Sequence, residues 1–516
     1  MRRYLYFTVF VSGMTSLAAE FGASRLLGNV FGTSNLVWAA IIGLILIYLT
    51  AGYFLGGRWA DRSPHPKTMY SILAWGAFTL GVVPYIARPV LRAAATAFDG
   101  LQVGILLGSF AAVLILFSVP VTLLGMISPF AIRLSMDDAR RAGNVSGDVY
   151  AISTLGSFVG TYLSVLVLIP TIGTTKTFLV FSVALLCVAL AGLGISGGRK
   201  AVLAYLLMVV LLAGVALVGG RGGIKKTSGQ IFETESAYNY IQVLEVNGYR
   251  YLRLNEGQGV HSVYHPDTLD YGGPWQQFLV GPFFYPDRAP ADVRRIAILG
   301  LAAGTTARQA TAVFPNVVID GFEIDSAIVE VGREYFGMNL PNLNVIVQDG
   351  RWGLANSREK YDSIAVDAYR PPYIPWHMTT QEFFQIAANH LTEQGVLVIN
   401  VGRAPGDRRL IDGLATTIGT IFPSVYVMDI PGTFNAMIYA TLQSTDATNL
   451  DHNLLALSTR ADAPPLLLKS MSLAWENLQP APQRTTVFTD DLAPIEWITN
   501  NMILNFVLHG EIETLQ

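Results

Sequence analysis

The stretch RRIAILGLAAGTTARQATAVFPNVVIDGFEID, residues 294–325, decides how this chain is read. It runs as an apolar strand, a tight turn holding Gly300 and Gly304, a helix over about 304–314, a second apolar strand, and an acid at Glu323. A strand, a glycine turn and a helix present backbone N–H groups and a carboxylate at one sheet edge, which is how a nucleoside is held. Glu323 follows Gly300 by a little over 20 residues, the spacing at which an acid takes both ribose hydroxyls. "GLAAG" is one glycine short of the full dinucleotide fingerprint, so a mononucleoside fits better.

Downstream, the alternation continues. "LNVIVQD" predicts a third strand and "YDSIAVDAY" a fourth, followed by the helix "TTQEFFQIAANHL". "GVLVINV" is the fifth strand, a helix covers about 407–421, and "VYVMDI" and "NAMIYATL" close the sheet. Strands alternating with helices predict a mostly parallel, Rossmann-like α/β domain over residues 290–516, with ligands outside the carboxyl ends of the strands. Three consecutive strand ends carry acids: Glu323, Asp349 and Asp367. Asp349, before Gly350, is placed to accept from an adenine amino group, or simply to cap the next helix. Asp367 opens a loop with Tyr369, Tyr373 and Trp376 among Pro371, Pro372 and Pro375. Prolines limit such a loop's freedom, and aromatic faces attract a sulfonium or ammonium.

Upstream, the character reverses. Seven apolar runs (4–27, 35–57, 68–87, 104–127, 149–170, 177–196 and 201–219) reach about the 20 residues a span requires. No small-residue cleavage site follows the first, so residues 1–222 read as a polytopic helical membrane domain and the chain as a multi-pass protein of the cell membrane, in contact with the lipid bilayer. Gly52 and Gly56 form one close-packing face, and Pro120 predicts a kink. The Lys/Arg bias favours a cytoplasmic N-terminus and, with an odd number of spans, an external C-terminal domain, whereas the supply of charged nucleosides favours the cytosol. "GGRGGIKKTSG", 219–229, marks the boundary, and residues 230–285 read as a small β-hairpin module turning at Asn247-Gly248.

Composition excludes several classes. A net charge of −3 over 516 residues gives no nucleic-acid footprint. The single Cys187 rules out an intrachain disulfide, and His261, His265 and His377 lack metal-ligand spacing, so no metal is expected and the three histidines read as polar surface residues. Arg403, Arg408 and Arg409 form a basic patch after the fifth strand.

The C-terminal half resembles the spermidine synthase (polyamine aminopropyltransferase) family, on a sheet like that of class I S-adenosylmethionine methyltransferases. The resemblance rests on the hairpin module 236–264, "WQQFL", "GLAAGT", "FEID", "QDG" and "VDAY…TTQEFF". The whole chain looks like the family's membrane-integrated branch, and "FTDDLAPIEW", 488–497, looks like that branch's C-terminal signature. The resemblance implies a transferase (EC 2.5.1 type) that moves an aminopropyl group from decarboxylated S-adenosylmethionine to a small amine or polyamine and releases methylthioadenosine. It assigns ribose to Glu323, adenine to Asp349, the nucleoside–substrate pocket to Gln258 and Gln276, and the base to Asp367. A homodimer is expected.

Two positions depart from the family pattern. Ala303 stands where the family's turn has an aspartate for the aminopropyl ammonium, and Arg370 where its loop has a second aspartate. Asp490 and Asp491 are candidates to restore the lost carboxylates, or they form a solvated turn before a helix. Alternatively, Arg370 binds a carboxylate, so that the co-substrate is S-adenosylmethionine itself and the reaction a methyl or aminocarboxypropyl transfer. A reading of another class makes the bundle a transporter or sensor and the α/β domain a non-catalytic nucleoside-binding regulator.

Overall fold

The computed structural model describes residues 2–31, 35–98, 104–136, 138–219, 227–255, 259–369, 374–404 and 406–508. The chain divides into two compact units, residues 1–227 with 235–240, and residues 228–234 with 241–516.

The first unit is helical. Among the described residues, five helices are long and apolar enough to cross a membrane: Val37–Arg62, Pro66–Ala87, Phe110–Ser135, Ala142–Ile172 and Thr174–Leu217. The first helix, Arg2–Phe31, is long enough but interrupts its apolar sequence with Glu20 and Arg25, and is not one of the five. The runs expected at 177–196 and 201–219 are two helices within Thr174–Gly219, separated at Gly198, whose φ of 73° is not helical. Large apolar side chains such as Leu46, Phe54, Phe158, Leu166 and Leu207 point outward. Helix approach relies on missing side chains: a Cβ at Gly156 or Gly160 would meet the carbonyl oxygens of Phe10 and Met14 at 2.0 Å. Gly52 and Gly56 form the face the sequence predicts, against Thr122 and Met126.

The second unit begins with a four-stranded sheet of β1 (Gln230–Glu235), β2 (Tyr240–Val246), β3 (Tyr249–Leu254) and β4 (Val260–Tyr264), ordered in sequence. Strands β2 and β3 are joined at Asn247 (φ 52°) and Gly248 (φ 82°), the left-handed pair that a tight hairpin needs.

The larger sheet has seven strands. β5 (Arg295–Leu299), β6 (Val318–Glu323), β7 (Leu343–Val347), β8 (Tyr361–Val366) and β9 (Leu391–Gly402) are parallel, while β10 (Ser424–Asp429) and β11 (Asn435–Thr441) add an antiparallel edge. The spatial order is β10-β11-β9-β8-β5-β6-β7, a Rossmann-like, methyltransferase-type arrangement. The inner strands β5, β6, β8, β9 and β11 are largely buried on both faces, so alternate residues feed two cores. Ala297, Leu299, Ile364, Val366, Leu397 and Ile399 face one helical layer. Ile296, Ile298, Ala365, Val396 and Val398 face the other.

Where β5 ends, the chain turns at Gly300 with φ +90°, and a Cβ there would lie 2.6 Å from both the Ala368 nitrogen and the Asp367 carbonyl oxygen. Gly350 has no such restriction, since its added Cβ would meet Leu299 Cβ at 3.2 Å and Met378 Cε at 3.4 Å. Gly300→Ala should therefore cost about 3 kcal/mol or more, from left-handed strain and backbone clash together. Gly350→Ala should cost about 1 kcal/mol or less. Thermal unfolding of the two purified variants checks the contrast, and equal melting points would remove the argument for a backbone-on-backbone contact.

Candidate active site

The parallel register places the site. Leu299 pairs with both Phe322 and Val366, and Val366 pairs with Ile399. Gly300, Glu323, Asp367 and Asn400 each follow one of these residues, so all four emerge side by side at the carboxyl edge of the sheet. Asp349 comes two residues after Val347, the partner of Glu323 on β7. Along an extended chain neighbouring acids would lie about 60 to 90 Å apart; register brings them to one edge.

Glu323 is buried, and it organises the turn. Its Oε2 accepts from the Ala302 N–H at 2.9 Å and its Oε1 from the Asp325 N–H at 3.1 Å. Ala302 itself sits at φ 47°, between Gly300 and Gly304, so the turn has three left-handed residues in five. Burial pushes the Glu323 carboxyl up to about 7, with the backbone N–H groups pulling the other way. The carboxylate keeps acceptor capacity for a ligand hydroxyl.

The small sheet holds the turn from its other side. Ser262 Oγ accepts from the Ala303 N–H at 3.0 Å. Thr305 Oγ1 accepts from the Val263 N–H and donates to the Val263 carbonyl, both at 2.9 Å. Ala303 is fully buried in an apolar cluster with Ile241, Val243, Leu252, Ile328 and Phe336. A carboxylate in its place would enter hydrocarbon, so the departure from the family pattern extends to the surroundings of the residue.

Asp349 and Asp367 differ in electrostatics. Asp349 caps the short helix α3 (Gly350–Ala355; α1 is Thr305–Val313 and α2 Ser326–Tyr335), its Oδ1 accepting from the Trp352 N–H at 2.9 Å. Its Oδ2 lies 3.2 Å from His377 Nε2, and this hydrogen bond, against some desolvation, holds the carboxyl below the usual range. Asp367 is half-buried and accepts one hydrogen bond, from Asn400 Nδ2 at 2.9 Å. Burial pushes it up to about 7, well placed to exchange a proton near neutrality. Two neighbouring carboxyls displaced in opposite directions mark a site with divided roles.

The other expected residues fall as follows. Gln276 is buried in the 3-10 turn Pro274–Leu279, its Oε1 accepting from the Gly272 N–H at 3.3 Å while its Nε2 has no protein partner. Tyr369 is half-buried beside Asp367, and burial raises its hydroxyl. Trp376 is 48 % exposed. Gln258, Arg370 and Tyr373 lie outside the described residues. Asp490 does fold back to the strand ends, but its charge is met by Arg351, with contacts of 2.7 and 2.6 Å, so it is no free carboxylate for an amine. Asp491 is exposed. His377 and Asn400 were missed by the sequence reading. His377 is no bystander on the surface, since it contacts Asp349, and its sequence signal was its place in the loop that Asp367 opens. Asn400 had a signal too, as the residue that ends the apolar run of the fifth strand. Among the described residues, no group of three or more His, Cys, Asp or Glu side chains could hold a metal.

A chain with this sheet, turn and row of acids falls in the Rossmann-like, methyltransferase-type α/β class. Residues 286–453 match the family model of the spermine/spermidine synthase domain. The probable polyamine aminopropyl transferase of Bifidobacterium longum is 32 % identical over 280 residues, which cover 51 % of this chain and 61 % of that protein, less than two thirds of its length. The polyamine aminopropyltransferase of Vibrio vulnificus is 29 % identical over 260 residues, 48 % of this chain and 81 % of the relative. Among solved structures, a probable spermidine synthase from Corynebacterium glutamicum aligns with a TM-score of 0.39 at 18 % identity, over 51 % of this chain and 98 % of that one.

The raised Glu323 gives a pH prediction. An acid near 7 is mostly protonated below that pH and then cannot accept from two ribose hydroxyls. A nucleoside that needs the anion should thus bind about tenfold more weakly for each pH unit below 7 and reach a plateau above it. Calorimetric titration of methylthioadenosine between pH 5.5 and 8 checks this. Glu323→Gln should bind weakly at every pH, with the slope gone.

Proposed function

We propose that the protein is a membrane-anchored aminopropyltransferase of the spermidine synthase type, which transfers an aminopropyl group from decarboxylated S-adenosylmethionine to an amine or polyamine acceptor. The observation that carries the reading is the single row of Glu323, Asp367 and Asn400 at the sheet's carboxyl edge, next to the Asp349 end, inside the family-matched region. Glu323 takes the ribose hydroxyls, and Asp349 accepts from the adenine amino group. Gln258 and Gln276 line the pocket between nucleoside and acceptor, and Gly300, Gly304 and Gly350 let backbone approach the ligand. Tyr369, Arg370, Tyr373 and Trp376 form the acceptor side.

The chemistry is a displacement. The acceptor arrives as an ammonium with an intrinsic pKa near 10 and must lose a proton before it can attack. Asp367, raised by burial, accepts that proton, and Asn400 fixes the direction of its carboxylate. The amine nitrogen bonds to the carbon beside the sulfonium while the carbon–sulfur bond breaks and its electron pair stays on sulfur, giving methylthioadenosine. The remaining gain is alignment of nitrogen, carbon and sulfur by the two ends of the site.

The apolar helices support anchoring in a membrane. Arg2–Phe31, the first four of the five long helices and the two halves of the fifth on either side of Gly198 allow seven spans, since each of those halves is about the 20 residues that a span needs. The anchor keeps the enzyme beside a membrane-associated or transported acceptor, working as a homodimer.

A second reading is favoured by one observation. With Ala303 in an apolar cluster, the turn offers no carboxylate to an aminopropyl ammonium. Intact S-adenosylmethionine, with methyl or aminocarboxypropyl transfer, is the alternative. Titrating purified protein with methylthioadenosine, decarboxylated S-adenosylmethionine and S-adenosylmethionine, each with and without putrescine, separates the two. Product from the decarboxylated form is expected, and Asp367→Asn should lower kcat about 100- to 10,000-fold with nucleoside affinity within about threefold. Binding of intact S-adenosylmethionine alone moves the protein to the second reading. Binding of none leaves a transporter or sensor.

A further inference from the structure

Asp349 faces a geometrical difficulty. To distinguish an adenine by its amino group, its carboxylate must point one oxygen in a fixed direction, yet the terminal torsion of an aspartate is soft and roughly two-fold. Oδ1 is committed to the Trp352 N–H as a helix cap, and Oδ2 has a single side-chain partner, His377 Nε2. The side chains of Asp349 and His377 are 36 % and 32 % exposed, so neither is held by packing alone.

His377 is held from behind by a charged network. Arg351 Nη1 donates to its carbonyl oxygen at 2.8 Å. The same guanidinium grips Asp490 with two nitrogens, and Asp490 Oδ1 also accepts from Thr380 Oγ1 at 2.7 Å. The C-terminal segment is stitched to the start of helix α4 (Gln381–Asn389) by two further bonds: Gln381 N–H to the Phe488 carbonyl at 2.8 Å, and Asp490 N–H to Glu382 Oε2 at 3.0 Å. Three segments far apart in sequence, 349–351, 376–382 and 488–490, are thus locked together. The locked segment is the far end of the loop that Asp367 begins. One strut therefore joins the end of the loop on the acceptor side to the carboxylate on the nucleoside side.

We infer that His377 is a positioning residue which, acting through Asp349 and anchored by Arg351 and Asp490, sets selectivity for a 6-amino purine nucleoside. The inference rests on the proposed function, because it takes Asp349 to be the adenine acceptor. His377 touches no reacting atom. Its contribution is to hold Asp349 Oδ2 so that a ligand N–H donor is met without first reorienting the carboxylate.

Atom placement makes the inference testable. A glutamine amide nitrogen sits at about the reach of imidazole Nε2, whereas an asparagine nitrogen reaches only the Nδ1 position. Full-length His377→Ala, His377→Asn and His377→Gln proteins are titrated with methylthioadenosine and with methylthioinosine, whose 6-oxo group offers no amino donor, after thermal unfolding has shown equal melting points. Alanine and asparagine should weaken methylthioadenosine binding about tenfold, glutamine should remain within about threefold of wild type, and methylthioinosine should bind all four proteins alike. Unchanged affinity in His377→Ala, equal losses for both nucleosides, or recovery by asparagine as complete as by glutamine would each overturn the inference. Should a variant melt early, the ratio of the two nucleosides' affinities within that same protein still reads selectivity, because misfolding lowers both together. Failure of wild type to bind methylthioadenosine would instead overturn the functional reading beneath it.

Discussion

The contact between Gly300 and the backbone of Asp367 and Ala368 is the constraint on which the rest of the α/β domain depends. Two strand ends meet there with no room for a side chain between them. Because β5 stops against β8 in this way, the turn after β5 folds over toward β6 and delivers the Ala302 N–H to Glu323. Asp367 leaves β8 at the same level and finds Asn400 across the next strand. The acids share an edge because five parallel strands share one register and the central one ends in glycine.

The same edge separates its carboxyls by environment. Glu323 and Asp367 are displaced upward because burial removes water from an anion that has few donors. Asp349 is displaced downward because His377 and a helix N-terminus surround it with N–H groups. Such a division suits a ligand that is neutral at its sugar, offers an amino donor at its base and brings a titrating amine to its reactive end. The price is instability of the empty edge: both raised carboxyls lose stability as pH climbs from the ordinary carboxylate range toward 7, since the folded state there retains protons the unfolded chain has released.

The helical unit obeys different physics. Its helices approach through glycines at Gly52, Gly56, Gly156 and Gly160, and large aliphatic side chains face outward. In water such a surface would be a liability, whereas in lipid it costs nothing.

Much of this was legible in the sequence. Short continuous apolar runs marked the strands of the larger sheet, their alternation with helices pointed to parallel pairing, and Asn247-Gly248 marked the hairpin, because each depends on local chemistry. The acids at Glu323, Asp349 and Asp367 were legible because each closes an apolar run. The chain's local pattern could not tell that Asp490 would be claimed by Arg351, that Ala303 would lie in hydrocarbon, or that His377 would reach Asp349. His377 and Asp349 are 28 positions apart and Arg351 and Asp490 are 139 apart, and only the register of the strands and the closing of loops over their ends decides such relations. Sequence by itself determined which residues could carry charge to the edge of the sheet; the tertiary structure decided which of those charges are met by a partner, because pairing depends on distance in space and not along the chain.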